Sequence, residues 1–590
     1  MISMYHEVKT RFSRTKRHLS FFVLATLPLI NTPPGRAELT DCSLIRKPGG
    51  SSAGYGQCPV ANRCKGVSGC IPEFGVKDSN DNFVPAIRQW GSSRPDQGGL
   101  KNPVAVAENP NARGQIWALN SDDSVTIFYC PGIKSASYKP EKRRDLASCH
   151  FMHRPTAIAF GGAPSDGDAP DFEGQLAQNL NTTGTFLTTG GSCNDYTASA
   201  FMGGDYSQRT CTDFMGPSLW ANNLKTFAIQ NNDFFPNDLS KQPFGSHLSM
   251  IHQQPYSMGA AWDGEQAGYW TWDAGADSKY GSIVFTSITQ SHGYGGHNHN
   301  GASLYRYEGT TMTRKAGTGP IIPGHMVKYG KFLFVANPAA GRINVLDTQS
   351  GVTSGHVKPE EEWREKYTTY TKIINATFSV LNVKDLRLDT PSGLTISEDR
   401  LFVSDAATGE IHAIKLDITT GNHTLIGSIR TPARRIAGMT VDKITKRLWF
   451  VDSISHTLNV VEPPCQNEED CDYDPPSPWG NQCVPDTNEE GKTVWQAHLD
   501  KSKNHNNWEG CARYYYLNCP GGNVHENSKL PVCNEYGGTW KDAQVSWVAG
   551  KSTCQCTTLQ SVPLSGASEA MSSLKIPMVI FSTILSYFYW

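Results

Sequence analysis

Three histidines lie within one short glycine-rich stretch of the sequence. Residues 291–301 read SHGYGGHNHNG and contain His292, His297 and His299. Imidazole nitrogens are common ligands of Zn²⁺ and also suit Cu, Fe and Ni. His297 and His299 point the same way in an extended chain, and the flanking glycines let His292 swing towards them. The stretch therefore indicates either a surface metal site or a solvated glycine-rich loop.

Short strands with alternating apolar and polar residues recur through the middle of the chain. Three clear copies, each preceded by a shorter strand, are Leu333–Asp347, Leu401–Ile414 and Leu448–Val461. Such units repeat every roughly 45 to 70 residues, which is typical of propeller blades. Asp405 and Asp452 follow a strand in these copies, and we expect them to bond the backbone of their own turn.

Six such units open at six points of the chain, namely Pro103, Thr156, Met258, His325, Gly393 and Gly438. They predict an all-β fold built on a six-bladed β-propeller, with seven blades or another β repeat as the alternatives. The run Val403–Ile411, VSDAATGEI, resembles the V-x-D-x-x-x-G-x-I turn of NHL-type repeats. Residues 100–463 as a whole resemble NHL- and TolB-like propellers.

Four further histidines lie at or before these openings. His325 is itself an opening residue, His153 precedes Thr156, and His247 and His252 precede Met258. Residues just before the innermost strands of a propeller line its central funnel, so we expect His153, His325 and either His247 or His252 to converge there. Three imidazoles with an open fourth position form a catalytic type of Zn²⁺ site, and other divalent metals also fit. A packed or hydrogen-bonded funnel histidine is the alternative for His325.

The predicted funnel resembles the peptidyl-hydroxyglycine lyase module of the peptide-amidating enzyme. That module is a six-bladed propeller whose zinc is held by histidines at blade openings, so the resemblance implies a metal-dependent lyase or hydrolase. Other openings of this chain depart from the pattern, since they read Arg154-Pro155-Thr156 and Ser392-Gly393-Leu394. No catalytic residue is carried over from that family.

The glycine-rich stretch follows the predicted strand at Ile283 and precedes the strand at Ser303. It therefore connects the third and outermost strands of the third blade. In a standard propeller this connection lies on the face opposite the blade openings. His292, His297 and His299 are accordingly candidates for a second site and not for the funnel.

Both ends of the chain carry the pattern of processing signals. A basic stretch and the apolar run Leu19–Ile30 predict a secretory signal peptide over residues 1–37, with an uncleaved signal anchor as the alternative. At the other end, small residues at Ser565 and Gly566 precede a polar spacer and the apolar tail Ile576–Trp590. This order predicts a stalk and a glycolipid (GPI) anchor signal over residues 561–590, with a short transmembrane tail as the alternative.

Twelve of the 16 cysteines cluster near the two ends and four lie in the middle, at Cys130, Cys149, Cys193 and Cys211, as in a disulfide-bonded secreted chain. They predict a cysteine-containing cap over residues 38–95 and a cysteine-rich domain over residues 464–560, on either side of the propeller at residues 100–463. Sequons at Asn181, Asn375 and Asn422 are candidate glycosylation sites.

Charge and anchoring limit the function classes. The 53 basic and 55 acidic residues nearly balance, which argues against a nucleic-acid partner. The sequence predicts a protein in the secretory pathway and at the cell surface, held to the membrane by its C-terminal anchor. Its predicted function is the binding of an extracellular protein, glycan or small molecule, with metal binding as an addition. The alternative is the extracellular metal-dependent lyase or hydrolase.

Overall fold

The structure is a computed structural model. It describes residues 64, 67–112, 114–131, 139–145, 148–152, 154–162, 184–190, 216–229, 245–251, 254, 256–274, 281–288, 302–315, 321–356, 369–442, 445–462, 489–501, 543–548 and 551–558. All of them belong to one compact unit, Leu39–Trp590, and the unit Met1–Glu38 lies outside the described residues. Within the described ranges, no helix has the length and apolar character needed to cross a membrane.

The first three blades are antiparallel sheets whose strands follow one another along the chain. Blade one contains β2 (Pro103–Glu108), β3 (Gln115–Asn120), β4 (Ser124–Tyr129) and β5 (Glu141–Arg143), and follows a separate strand, β1 (Ala86–Gly91). Blade two contains β6 (Pro155–Phe160), β7 (Thr185–Gly190), β8 (Ser218–Ala221) and β9 (His247–Met250). Blade three contains β10 (Ser257–Trp262), β11 (Gly268–Asp273), β12 (Ile283–Ile288) and β13 (Ala302–Tyr307).

The other three blades complete the ring. Blade four contains β14 (Met326–Tyr329), β15 (Phe332–Asn337), β16 (Arg342–Asp347) and β19 (Phe378–Val380), with an inserted hairpin of β17 (Val352–His356) and β18 (Thr369–Ile374). Blade five contains β20 (Pro391–Ser397), β21 (Arg400–Asp405), β22 (Glu410–Lys415) and β23 (Thr424–Arg430). Blade six contains β24 (Ile436–Val441), β25 (Leu448–Asp452) and β26 (Thr457–Glu462).

The fold is therefore an all-β, six-bladed propeller, as the sequence predicts. The six predicted openings fall at the starts of β2, β6, β10, β14, β20 and β24. Below, the top face is the face at which these inner strands begin, and the bottom face is the one at which they end. A sheet of four antiparallel strands places the connection between its third and fourth strands on the bottom face.

One apolar cluster fills the space between each pair of neighbouring blades. Trp117 of blade one, for example, contacts Phe186 of blade two with ring centroids 5.3 Å apart. Strands here are apolar on both faces because each sheet is covered on both sides. This explains why the sequence alternation is weak in blades one to three.

Blade six takes its fourth strand from the N-terminal side of the ring. Strand β1 pairs antiparallel with β26, with Ala86 opposite Glu462. Residues 86–91 were predicted to lie in the N-terminal cap. Because they form this strand of blade six, the propeller begins before residue 100. The pattern fails here because β1 is half exposed and lies far in sequence from its partner.

The N-terminal segment also packs against the outer side of blades five and six. Phe74 is fully buried, with its ring centroid 5.4 Å from that of Phe402. The buried carboxylate of Glu73 accepts two hydrogen bonds from the guanidinium of Arg400, each 3.2 Å long. Such a pair fixes the position of a segment more than it adds stability.

The hairpin inserted into blade four belongs to the sheet of blade three. Strand β18 pairs in parallel with β13, with Tyr305 opposite Thr371, and this makes a sheet of six strands in the order β10-β11-β12-β13-β18-β17. Lys372 of the hairpin forms an ion pair with Glu308 at the end of β13. The hairpin thus ties two neighbouring blades together through backbone hydrogen bonds.

Two short helices and a separate hairpin complete the described structure, namely α1 (Ser148–Phe151), α2 (Val494–Lys501) and the pair β27 (Ala543–Val548) and β28 (Lys551–Thr558). Helix α2 follows the propeller in sequence, yet Trp495 belongs to the apolar cluster between blades one and two. The guanidinium of Arg143 lies 5.6 Å from the Trp495 ring centroid. Arg143 also donates hydrogen bonds to the carbonyls of Leu224 and Phe227 in blade two. The residues around α2 are therefore attached to the propeller wall.

Buried Asp or Asn side chains end the second strand in five of the six blades, namely Asn120, Asp273, Asn337, Asp405 and Asp452. Asp405 accepts hydrogen bonds from the N–H groups of Asp389 and Thr390, which lead into the inner strand of blade five, at 2.6 and 3.0 Å. Its other oxygen accepts from Ala407 and Thr408 in the following turn, at 2.9 and 3.2 Å. This confirms the structural role predicted for Asp405, and we call the arrangement the Asp clamp.

Replacing Asp405 by Ala should lower the free energy of unfolding by about 3 kcal/mol, because four backbone N–H groups lose a charged acceptor. Asp405→Asn keeps one acceptor oxygen and should cost about half as much. Urea unfolding followed by tryptophan fluorescence measures both changes. An Asp405→Ala protein as stable as the parent would contradict the structural role of the clamp.

Replacing Trp495 by Ala should cost about 3 kcal/mol, because a large buried side chain is lost from a core shared by three segments. Ile418→Ala is the matched control: this side chain is 44% exposed in a turn, and its removal should cost less than about 0.5 kcal/mol. The same urea unfolding applies. Equal effects of the two changes would show that α2 does not stabilise the ring.

Candidate functional site

The candidate site lies where the six inner strands begin, around the axis of the ring. In five of these strands the pairing with the second strand shifts by an extra residue, which marks a β-bulge at Pro103/Ala105, Pro155/Ala157, Ser257/Gly259, Pro391/Leu394 and Ile436/Gly438. A bulge bends the strand and re-aims the next side chain. The residue after it is small in most blades. His325 occupies the equivalent place in blade four, since its carbonyl accepts the N–H of Ala336 at 2.9 Å.

His325 crosses the axis from blade four to blade one. Its Nε2 lies 3.0 Å from the carbonyl oxygen of Val104 in β2, and blades four and one face each other in a ring of six. Its backbone N–H donates to the carbonyl of Ser392 in blade five at 3.0 Å. Only 8% of the residue is exposed. A single side chain therefore closes the channel at the top face.

Small residues around His325 make room for its ring. A Cβ atom on Gly438 of blade six would lie 3.0 Å from His325 Nε2 and 2.8 Å from the Cα of Ala105. A Cβ on Gly259 of blade three would lie 2.2 Å from the carbonyl oxygen of Gly324. The contacts of 2.8 and 2.2 Å are closer than real Cβ atoms approach, and the third lies at that limit, so a larger side chain at either position would displace the neighbouring backbone.

Hydrogen bonds between neighbouring blades complete the closure at the same level. The hydroxyl of Thr156 donates to the carbonyl of Ser257 at 2.7 Å, and that of Ser392 to the carbonyl of Ala437 at 2.6 Å. The N–H of Gly324 donates to the carbonyl of Met258 at 3.1 Å. These polar groups bond one another, which is how buried polar atoms avoid the cost of losing water.

The environment keeps the His325 ring neutral. A carbonyl oxygen only accepts, so Nε2 carries the hydrogen and donates it to Val104. Burial lowers the pKa of His325 to about 4, although hydrogen bonds to the carbonyls of Val104 and Ala437 act in the opposite direction. The Nε2 atom is therefore engaged by the carbonyl of Val104 and is not free to bind a metal ion.

Of the other predicted funnel histidines, the structure describes only His247, and it does not lie beside His325. His247 lies in β9, the outermost strand of blade two, and its ring stacks on Phe151 with centroids 3.5 Å apart. Its predicted place at the axis is wrong, because the residues before the opening at Met258 run up the outer edge of blade two. His153 and His252 lie outside the described residues.

The second-site histidines, His292, His297 and His299, also lie outside the described residues. Their flanking strands β12 and β13 are the third and fourth of blade three, as the sequence predicts, and β12 ends and β13 begins at the bottom face. Among the described residues, no group of three or more His, Cys, Asp or Glu side chains could hold a metal ion. Binding of Zn²⁺ or another divalent metal stays a prediction.

Basic side chains lie beside the axis on the top face, before the inner strands of blades six, one and two, and sequence reasoning missed them as a group. Four lie within two residues of an inner strand, namely Lys101, Arg154, Arg434 and Arg435, and we call them the basic rim. Lys101, Arg154 and Arg434 are exposed, and Arg435 is half-buried. Each of these residues lies just before a predicted blade opening, and this position could have identified them from the sequence.

Each residue of the basic rim is held by its backbone N–H. Asn120 accepts from Lys101 at 3.0 Å and Asp123 from Arg154 at 2.9 Å. The carboxylate of Asp452 accepts from both Arg434 and Arg435, at 2.8 and 3.2 Å. The acceptors are fully buried or nearly so. The Asp clamp and its relative at Asp123 therefore fix the positions from which the basic side chains extend.

Comparison with known proteins identifies solved structures at low similarity. An auxiliary nutrient binding protein from Bacteroides thetaiotaomicron shares 9% identity over 65% of this chain and 78% of its own, with a TM-score of 0.35. A chain of a nidogen–laminin complex shares 11% over 58% and 85%, with a TM-score of 0.30. A luciferin-regenerating enzyme shares 9% over 65% and 98%, with a TM-score of 0.32. No protein-family model matches the chain, and no curated protein matches it. The fold assignment rests on the strand pairing of this chain.

Acidification should destabilise the protein through His325. Between pH 6.5 and about 4 the unfolded chain binds a proton at this residue and the folded chain does not, so stability falls as the pH falls through this window. Above pH 6.5 the free energy of unfolding is not reduced by His325. Below this window it is lower by at most about 3 kcal/mol. Urea unfolding at a series of pH values measures it.

His325→Gln is the control, because an amide N–H can also donate to Val104 but does not titrate. His412 and His423 also have lowered pKa values, because of burial, and they remain in both proteins. The difference between the two stability curves therefore isolates His325. Parallel curves would contradict a neutral, buried His325.

Proposed function

We propose that this chain is a membrane-anchored, extracellular binding protein whose propeller presents a rigid ligand-binding face. The observation that carries the proposal is the closure of the axis by His325 between blades four and one. With the channel filled at the top, a ligand has the surface of a face to contact and not a deep funnel. Residues on such a scaffold are held in place before the ligand arrives, which lowers the entropic cost of binding.

Features of the described surface support the secretory route. Cys64 and Cys70 form a disulfide, and disulfides persist in oxidising compartments. Asn375 and Asn422 are exposed and lie in turns next to β18 and β23. An attached glycan at either position extends into solvent, away from the blade interfaces. Asn181 lies outside the described residues.

The proposed anchoring depends on the C-terminal residues. Either Ser565 or Gly566 would receive the glycolipid as the peptide bond after it is broken and the following residues, including the apolar tail Ile576–Trp590, are released. These residues lie outside the described part of the chain. A single glycolipid leaves the propeller free to move in the plane of the membrane, with its faces accessible.

Expression in animal cells tests this proposal. Phosphatidylinositol-specific phospholipase C should release the protein from intact cells, and deletion of residues 576–590 should send it to the medium. Digestion with an N-glycosidase should increase gel mobility, by a smaller step in Asn375→Gln or Asn422→Gln. Retention of the protein in the cytosol would overturn the proposal, and resistance to the lipase at the surface would favour a transmembrane tail.

A further inference from the structure

The two ends of the propeller axis carry opposite charge. Within two residues before the inner strands, the described positions contain the four cations of the basic rim and one acid, Asp389. Within two residues after these strands they contain one cation, Lys331, and four acids, namely Asp263, Glu398, Asp399 and Asp442. The net charge of the whole chain is near zero, so this polarity comes from where the fold places the charges.

The charges at the two ends differ in their partners as well. On the bottom face, Glu398 pairs with Lys446 at 3.1 Å, Asp263 with Lys328 at 3.5 Å and Lys331 with Asp347 at 2.6 Å. On the top face, the side chains of Lys101, Arg434 and Arg435 form no ion pair within the described structure, while Asp389 lies 3.7 Å from Lys315. The bottom charges are largely compensated, whereas the charges of Lys101, Arg434 and Arg435 are not.

Two donors beneath the rim have no acceptor in the described structure. The Nη1 atom of Arg435 is buried without a hydrogen-bond partner, and so is the hydroxyl of Ser453, a residue only 1% exposed. The two residues are neighbours, since the N–H of Ser453 donates to the carbonyl of Arg435 at 3.0 Å. A buried donor without an acceptor is costly, and an acceptor oxygen within reach of either atom would remove that cost.

The carboxylates beneath the rim do not cancel its charge. Asp452 accepts four backbone N–H groups, from Arg434 and Arg435 and from Ile454 and Ser455 in the next turn. Asp123 forms an ion pair with Arg144 at 3.2 Å. Their negative charge is directed into these contacts, while Lys101, Arg154 and Arg434 extend into solvent.

We propose that the top face binds an anionic polysaccharide, whose carboxylate or sulfate groups contact the basic rim. Rim cations come from blades six, one and two, so a ligand with repeated anionic groups can engage several at once, whereas a single small anion cannot. The proposal rests on the proposed function, because a chain exported to the cell surface meets acidic polysaccharides there. Fixed backbone positions mean that little ordering is needed on binding.

Binding of the full chain, purified in mild detergent, to immobilised polysaccharides tests the proposal. The probes are heparin for sulfate groups, polygalacturonate for carboxylate groups and dextran as the uncharged control. Binding to at least one acidic probe and not to dextran is expected, and it should weaken steeply as salt is added. The two acidic probes distinguish the anionic groups.

Arg434→Glu should weaken binding about tenfold or more, since it reverses one charge of the rim. Lys415→Glu, the same charge change in an exposed side chain outside the rim, should leave the affinity within about twofold. Arg435→Gln keeps the size of the side chain and should also weaken binding. Urea unfolding confirms that each variant is folded.

Lack of binding to both acidic probes at low salt would overturn the proposal, and so would equal loss in Arg434→Glu and Lys415→Glu. Concentration-dependent self-association that Arg434→Glu abolishes would identify a second copy of the chain, through its acidic bottom face, as the partner instead. These outcomes are independent of membrane release and glycosylation, so a failure here is distinguishable from a failure of the proposed function.

Discussion

The Asp clamp is the constraint on which the rest of the ring depends. An Asp or Asn side chain at the end of a second strand is removed from water and must find donors. In blades one, three, five and six, the loop leading into the inner strand supplies them. Because the side-chain oxygen and the N–H groups of the loop would otherwise lack hydrogen-bond partners, each holds the other in place. The second strand of blade two ends in Gly190, which has no side chain. The carboxylate of Asp123 in blade one accepts the N–H of Arg154 instead. The inner strands therefore begin at one level around the axis.

That common level decides what happens at the axis. Bulges near the start of five inner strands bring five small or apolar residues to the level of His325. The imidazole of His325 reaches the opposite blade. The channel is filled by His325 and its neutral ring, with hydrogen bonds between blades taking the place of water. A surface rigidified in this way presents Lys101, Arg154, Arg434 and Arg435 at fixed positions, while the acidic turns lie at the far end.

The sequence predicted the repeated elements well, because alternation and a turn Asp recur in local windows, as at Asp405 and Asp452. It placed His325 at the axis for the same reason. It missed β1, whose partner β26 lies at the other end of the propeller, and the transfer of β17 and β18 to blade three, because pairings between distant segments leave no local pattern. His247 was misplaced because its distance along the chain from the opening at Met258 carried no information on which strand it joined.

Ring closure through β1 has a consequence for the order of folding. Strand β1 is made early in synthesis, yet its partner β26 is the last strand of the ring. Until residue 462 has left the ribosome, the edge of β1 has no partner, and exposed strand edges are prone to pair with other chains. Joining the two ends also costs chain entropy, because it brings distant segments together. Moving the chain start to a loop between two intact blades would make this pairing local.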